Sequence, residues 1–159
     1  MQIEAFPLER LPELWAWLGQ FPENNFDDAG PRSLEEFEAE MRRRLASGQW
    51  LLGVAADGRL VGAIGFECLA PYLGMFRGIV FDRSVHGAGI AAQAVRAVLE
   101  RAFRTGIEKV SALYFADNKR IDGLLIKLGA IDEGLLRKHT RRNGQPVDVR
   151  VGAFFKEDF

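Results

Sequence analysis

The stretch from Phe76 to Thr105 sets the tightest limit on what this chain can fold into. Phe76-Arg77-Gly78-Ile79-Val80-Phe81 reads as a strand, a short polar turn follows, and His86-Gly87-Ala88-Gly89-Ile90-Ala91-Ala92 runs straight into a helix. In that helix Ile90, Ala94, Val95, Val98, Leu99, Ala102 and Phe103 recur at three- and four-residue spacing, with Gln93, Arg96, Glu100, Arg101 and Arg104 on the other side. One face is built for burial. The small residues Gly87, Gly89, Ala91 and Ala92 let a ligand come close to the main chain. The first helical turn leaves N–H groups unpaired, and with the helix dipole these suit an anion such as a pyrophosphate.

A Gly-x-Gly after a strand is open to several readings: a dinucleotide fingerprint, a closely packed helix start or a flexible turn. Ala92 is an acceptable third residue for a dinucleotide loop. Asp117, the acid of the next strand, comes later than the usual distance of roughly 20 residues, and the hairpin upstream fits a doubly wound sheet poorly.

The rest of the chain supplies that hairpin and its surroundings. Met1 to Phe6 alternates as a first strand, stopped by Pro7, and Leu8 to Leu18 carries a helical stripe of Leu8, Leu11, Leu14, Trp15 and Leu18. Phe21 to Arg32 mixes turn formers with Glu23, Asp27 and Asp28 and is expected to be an irregular surface loop. Ser33 with Glu36 is a capping-box signature for a second helix, Leu34 to Leu45. Trp50 to Ala56 and Arg59 to Leu69 form a hairpin about Asp57-Gly58, and Ala70 to Gly74 turns into the central strand. Glu108 to Ala116 is a further strand, expected parallel to the central one across its helix. Asn118 to Leu128 is a short helix closed by Gly129, and Ile131 to Thr140 with Val147 to Phe155 is a terminal hairpin turning at Asn143-Gly144. The order predicts an α/β fold with a mixed sheet.

Composition narrows the function classes. With 159 residues, 48% hydrophobic and 27% charged, the chain supports one domain over residues 1–159. A net charge of −1 and no long basic block predict no nucleic-acid partner. The single Cys68 cannot form an internal disulfide and is expected to be a buried strand residue, while His86 and His139 alone make no metal cluster. The first residues carry acids and no long apolar run, so neither a leader nor a membrane span is predicted, and the cytoplasm is the expected compartment. Trp15, Trp17 and Phe155 are more large apolar groups near the termini than a small domain need expose, which makes a homodimer an expectation.

The central loop resembles the acyl-CoA loop of the GNAT superfamily of N-acetyltransferases: Arg or Gln, two residues, Gly, one residue, then Gly or Ala. Here the pattern falls on His86, Gly89 and Ala91, with His86 departing at the first position. Asn118, the run Leu124-Leu125-Ile126-Lys127-Leu128-Gly129, Glu133-Gly134-Leu135-Leu136-Arg137, Asn143-Gly144 and Asp148 are similar to the ribosomal-protein N-terminal acetyltransferase branch (the RimJ/RimL type). Ala130 stands where that branch usually has Phe. The resemblance implies a GNAT fold: a mixed, mostly antiparallel central sheet of about seven strands with four helices, strands four and five splayed.

It also implies acetyl-CoA as cofactor, its pantetheine arm lying between the splayed strands against Ile79, Val80 and Phe81. The pyrophosphate would meet the N–H groups of Gly87, Ala88, Gly89, Ile90, Ala91 and Ala92, and Asn118 would face the pantetheine or an ordered water. The other reading of Ile79 and Phe81 is core packing by their side chains, the cofactor contact belonging to the backbone. His86 is either a phosphate neighbour or a solvated turn residue. Glu67 is a candidate general base if burial raises its pKa, or an outward-facing strand carboxylate. Tyr114 is a candidate donor to the leaving thiolate, or a core residue with its hydroxyl at an edge. The acids usual in the family are missing, since Leu125 and Ile121 stand where Tyr and Ser are found.

For the acceptor, Phe26, Asp27 and Asp28 could hold a cationic amine: a peptide N-terminus, an aminoglycoside or a polyamine. The alternative is a solvated acidic loop. The expected function is acetyl transfer to a primary amine by direct attack. Two rivals remain: a GNAT-fold acyl-CoA-binding module with little turnover, and a nucleotide-binding domain.

Overall fold

A computed structural model describes residues 1–159. The strand signals become one seven-stranded sheet: β1 (Gln2–Ala5), β2 (Trp50–Ala56), β3 (Arg59–Ala70), β4 (Leu73–Phe81), β5 (Lys109–Phe115), β6 (Ile131–Arg142) and β7 (Gln145–Phe155). The spatial order is β1-β2-β3-β4-β5-β7-β6. Every neighbouring pair is antiparallel except β4 with β5, as a helical crossover between them requires. The turns form where their residues direct. Asp57 and Gly58 take φ 51° and 74°, and Asn143 and Gly144 take 52° and 74°, the left-handed pair of a two-residue hairpin.

Five helices cover the sheet: α1 (Leu11–Gly19), α2 (Pro22–Asn25), α3 (Leu34–Ala46), α4 (Ile90–Arg104) and α5 (Lys119–Lys127). The four expected helices are present. The first is shortened, because Leu8–Arg10 winds as a 3-10 turn ahead of α1. The addition is α2, a single turn in the segment expected to be irregular, which Pro22 starts at a position that needs no N–H donor. No helix is long and apolar enough to cross a membrane.

The middle of the sheet is buried on both faces, while the edge strands β1 and β6 carry no buried residue. On one side α4 sets Ala94, Val95, Val98, Leu99, Ala102 and Phe103 against Ile64, Phe66, Phe76, Val110 and Phe154. On the other, Leu11, Leu14 and Trp17 of α1 and Phe37 of α3 pack on Leu51, Leu60 and Ala63. Each fully buried Leu or Phe contributes about 1.5–3 kcal/mol. The three residues behind the expected homodimer are packed within the chain. Trp17 is 6% exposed, Trp15 sits between Phe26 and Phe37, and Phe155 lies under the Lys109 ammonium, so none is a surplus apolar surface. Cys68 departs from expectation too. It is exposed, because it lies beyond the last buried residue of β3.

Registry within β3 and β4 fixes where the sheet opens. Gly65 pairs with Gly78, but the next residue of β3, Phe66, pairs with Phe76, so Arg77 is an extra residue in β4. Gly78 beside it has φ 152°, which disfavours any side chain. The bulge shifts the strand's alternation by one: Phe76 and Ile79, three apart, both pack on the α4 side, while Val80 packs on the α1 side.

A second connection ties α1 to the β4–α4 turn. Asp82 caps the 3-10 turn Arg83–Val85, its Oδ1 accepting from Ser84 N at 3.1 Å and from Gln20 Nε2 at 3.3 Å. Gln20 returns the contact through its side-chain oxygen, which accepts from Arg83 N at 2.8 Å.

Gly62→Ala tests the packing between β3 and β4. A Cβ there would stand 2.3 Å from Cδ1 of the buried Phe81 ring, so the variant should lose about 1–3 kcal/mol. Thermal unfolding should show the loss as a fall of about 2–4 °C per kcal/mol. Gly19→Ala, with open space around it, is the control. An unchanged midpoint for Gly62→Ala would disprove the contact.

Asp82 gives a pH test. The Ser84 N–H, first, and then the Gln20 amide hold its carboxyl below the ordinary aspartate value, against the opposing effect of burial. A depressed folded pKa adds stability above the unfolded value and loses it as pH falls through the folded one. Asp82→Ala should therefore be less stable than the parent in urea at pH 7, with the gap closing below about pH 4. A gap that stayed constant down to pH 2 would refute the assignment.

Candidate active site

The parallel ladder between β4 and β5 is short. Leu73–Phe76 pairs with Lys109–Ala112 and the pairing stops there, although β4 continues to Phe81 along β3 and β5 to Phe115 along β7. Beyond the Arg77 bulge the two inner edges face each other without hydrogen bonds. The expected splay of strands four and five is thus present, and it exposes Gly78 and Leu113, the latter 42% exposed on a strand whose other residues are buried or half-buried.

At the end of the gap lies the glycine loop. His86 N donates to Arg83 O and Ala88 N to Val85 O, closing two turns, and Gln93 N bonds back to Gly89 O as α4 begins. The N–H groups of Gly87, Gly89, Ile90, Ala91 and Ala92 have no partner in the chain. Gly89 is the helix N-cap at φ 78°, so no capping side chain competes for these amides. Space lies open above them, since a Cβ at Gly87 or Gly89 would meet nothing within 4 Å. Ala88 differs from Gly87 and Gly89 in having its N–H used, and neither Ala88 nor Ile90 lines the cavity.

Two cavities meet here. One, of about 380 Å³, is lined by Ile79, Val80, Phe81, His86, the loop residues Gly87, Gly89, Ala91 and Ala92, and α5. The other, of about 540 Å³, extends under α1 and α3 and includes Phe26, Asp27, Gly78, Leu113 and Tyr114. Ile79, Val80, Asn118 and Ile121 line both, so the two form one channel. Asn118 caps α5, its Oδ1 accepting from Ile121 N at 3.3 Å, and its amide donor remains available.

The other expected site residues are occupied with protein contacts. Glu67 lies outside both cavities, its Oε2 accepting from Arg77 Nε at 2.6 Å and Gln49 Nε2 at 3.2 Å. Tyr114 Oη donates to Asp122 Oδ1 at 2.8 Å, and burial, followed by that bond, pushes the phenol above its ordinary value. His86 stacks on Phe21, its Nε2 bonded to Phe81 O at 3.0 Å and its Nδ1 facing Arg120 Nη2 at 2.5 Å.

In the acidic loop, Asp27 Oδ1 accepts from Ala29 N and Oδ2 from Thr140 Oγ1, while Asp28 accepts from Asn143 N and Gly144 N. Phe26 packs edge-on against Trp15. Asp28 therefore clasps the β6–β7 turn and does not line the cavity. Arg142 strengthens the clasp by bonding Glu23 O and Asp117.

Sequence reasoning passed over two cations in the smaller cavity, Arg120 and Lys127 of α5. Their seven-residue spacing, which places both on one helix face, was the available signal. The channel suits a long ligand with a phosphate-bearing end: unpaired amides and two cations stand at one end, an open strand edge leads inward, and no carboxylate lines the smaller cavity.

Comparison with known proteins agrees with this geometry. The uncharacterized N-acetyltransferase YoaA of Bacillus subtilis is 31% identical over 99 residues, 61% of this chain and 56% of that protein. The chain thus spans little more than half the length of the curated relatives it matches. Two solved structures share the fold. The ribosomal-protein-alanine N-acetyltransferase of Brucella melitensis has TM-score 0.78 and 18% identity over 98% of this chain and 99% of that one. A variant of the spermidine N-acetyltransferase SpeG of Vibrio cholerae has TM-score 0.83 and 16% identity over 99% and 96%. Residues 3–131 match the family described as the acetyltransferase (GNAT) domain, and with its split sheet and bare helix N-terminus the chain belongs to the GNAT acetyltransferase family.

Proposed function

We propose that the chain is an acetyl-CoA-dependent N-acetyltransferase that passes the acetyl group directly to a primary amine held in the same channel; a cytoplasmic location belongs to the same reading. The observation that carries it is continuity: the unbonded edges of β4 and β5 lead from the unpaired amides at α4 to the larger cavity under α1 and α3. Acetyl-CoA supplies a thioester, an acyl carbon already activated toward an amine. The chain's part is to hold and orient. The free amides of Gly87, Gly89, Ile90, Ala91 and Ala92 would take the negative charge, the main chain of Ile79, Val80 and Phe81 would hold the arm as a neighbouring strand does, and the Asn118 amide would donate into the channel. The neutral amine nitrogen bonds to the acyl carbon as the carbon–sulfur bond breaks, and the proton lost by nitrogen ends on sulfur, carried by water or a side chain.

In this reading Glu67 and Tyr114 support the walls of the cleft, because each is already bonded within the protein. A peptide N-terminus is the acceptor favoured over a polyamine or aminoglycoside. The carboxylates of Asp27 and Asp28 are engaged, and Glu40, which also lines the larger cavity, is paired with Arg44. That leaves a single amine better matched than several. A second reading, an acyl-CoA-binding module without turnover, draws on Ile121 and the fully buried Leu125 at the positions of the family's usual acids.

A thiol-release assay with acetyl-CoA and a panel of peptide N-termini, spermidine and an aminoglycoside separates the readings. Release with peptides is expected. Binding of coenzyme A without release from any amine would favour the module, and no binding at millimolar concentration would remove both. Glu67→Gln and Tyr114→Phe should each reduce turnover by well under the about 100-fold that marks the loss of a general acid or base. A larger loss in a variant of normal stability would restore the catalytic role.

A further inference from the structure

We infer that Arg120, held in place by Phe21 and His86, is the side-chain ligand of the pyrophosphate, taking from α5 the part that His86 cannot supply from the loop. The inference rests on the acyl-CoA reading above. His86 occupies the position where the resembling loop carries Arg or Gln, but neither ring nitrogen is free. Nε2 donates to Phe81 O, which leaves Nδ1 to accept from Arg120 Nη2. The ring is also stacked on Phe21 at 5.2 Å between centroids and 16° between planes. His86 therefore acts through Arg120, as a positioning residue.

Arg120 has the features of a phosphate ligand awaiting its partner. Its guanidinium carbon lies 3.7 Å from the centre of the Phe21 ring, and it lines the same cavity as Gly87, Gly89, Ala91 and Ala92. No carboxylate pairs with it, and among the arginines without an acid partner it is the one that lines either cavity. A long cation left to itself would lose much rotamer freedom on binding an anion. Here the aromatic face and the imidazole have already fixed the fork, and only one donor is used. The planar guanidinium can present its remaining N–H groups to two oxygens at once.

Isothermal titration with coenzyme A and with 3′-dephospho-coenzyme A, which keeps the pyrophosphate, tests this. The parent should bind both. Arg120→Ala should weaken both by about 10- to 100-fold, the range for a lost hydrogen bond to a charged group. Arg120→Met, which keeps an apolar stem over Phe21, should match it. Lys119→Ala, a neighbouring cation outside both cavities, should bind as the parent does. His86→Ala should weaken binding in the parent and add little in the Arg120→Ala background, a non-additivity that a merely structural role would not give. Parent-like affinity in both Arg120 variants, or a loss seen with coenzyme A but absent with its 3′-dephospho form, overturns the inference and leaves the acyl-CoA reading standing. Failure of the parent to bind either ligand overturns both.

Discussion

One inserted residue governs this structure. Arg77 has no partner on β3, and placing it in β4 both reverses the strand's facing and ends the ladder with β5 one residue earlier, at Phe76. Without the insertion, Ile79 would fall on the α1 face and Val80 on the α4 face. With it, Ile79 and Val80 take the faces seen, and the ladder to β5 ends where the extra residue begins.

Opening the middle of a sheet leaves main-chain groups without partners, and an unpaired buried amide is costly. The structure meets this by leaving the opening exposed and roofing it from the side. Gly78 and Leu113 remain exposed, and the segment from Gln20 to Asp28 passes over the channel. Ordinary contacts hold that roof: Gln20 with Asp82 and Arg83, Phe21 with His86 and Arg120, Asp28 with Asn143 and Gly144. The acids of the loop serve mainly to fasten it.

Much of this was legible in the sequence because it is local. Asp57-Gly58 and Asn143-Gly144 carry their turn conformations within the dipeptide, Ser33 and Asn118 cap the helices they precede, and the period of α4 announces its buried face. Gly87 to Ala92 could be placed for the same reason. What local pattern does not give is the partner that each side chain finds on another element. Asp28 meets Asn143 and Gly144 more than a hundred residues away, Glu67 meets Arg77 across a hairpin with an irregular register, and Tyr114 meets Asp122 only once α5 folds back. Trp15 and Trp17 looked surplus because the loop and helix that cover them lie later in the sequence. The Arg77 bulge itself has no signature beyond an adjacent glycine.

The roofing segment has two abutments of different kinds. At its start it leans on the turn before the glycine loop, and at its end it is clasped by the β6–β7 hairpin, so the two ends of the channel stand beneath a single lintel. Phe21 borders the smaller cavity and Asp27, next to the clasped Asp28, borders the larger, so one short segment walls both. Whatever fills either cavity therefore lies against a strap that borders the other as well.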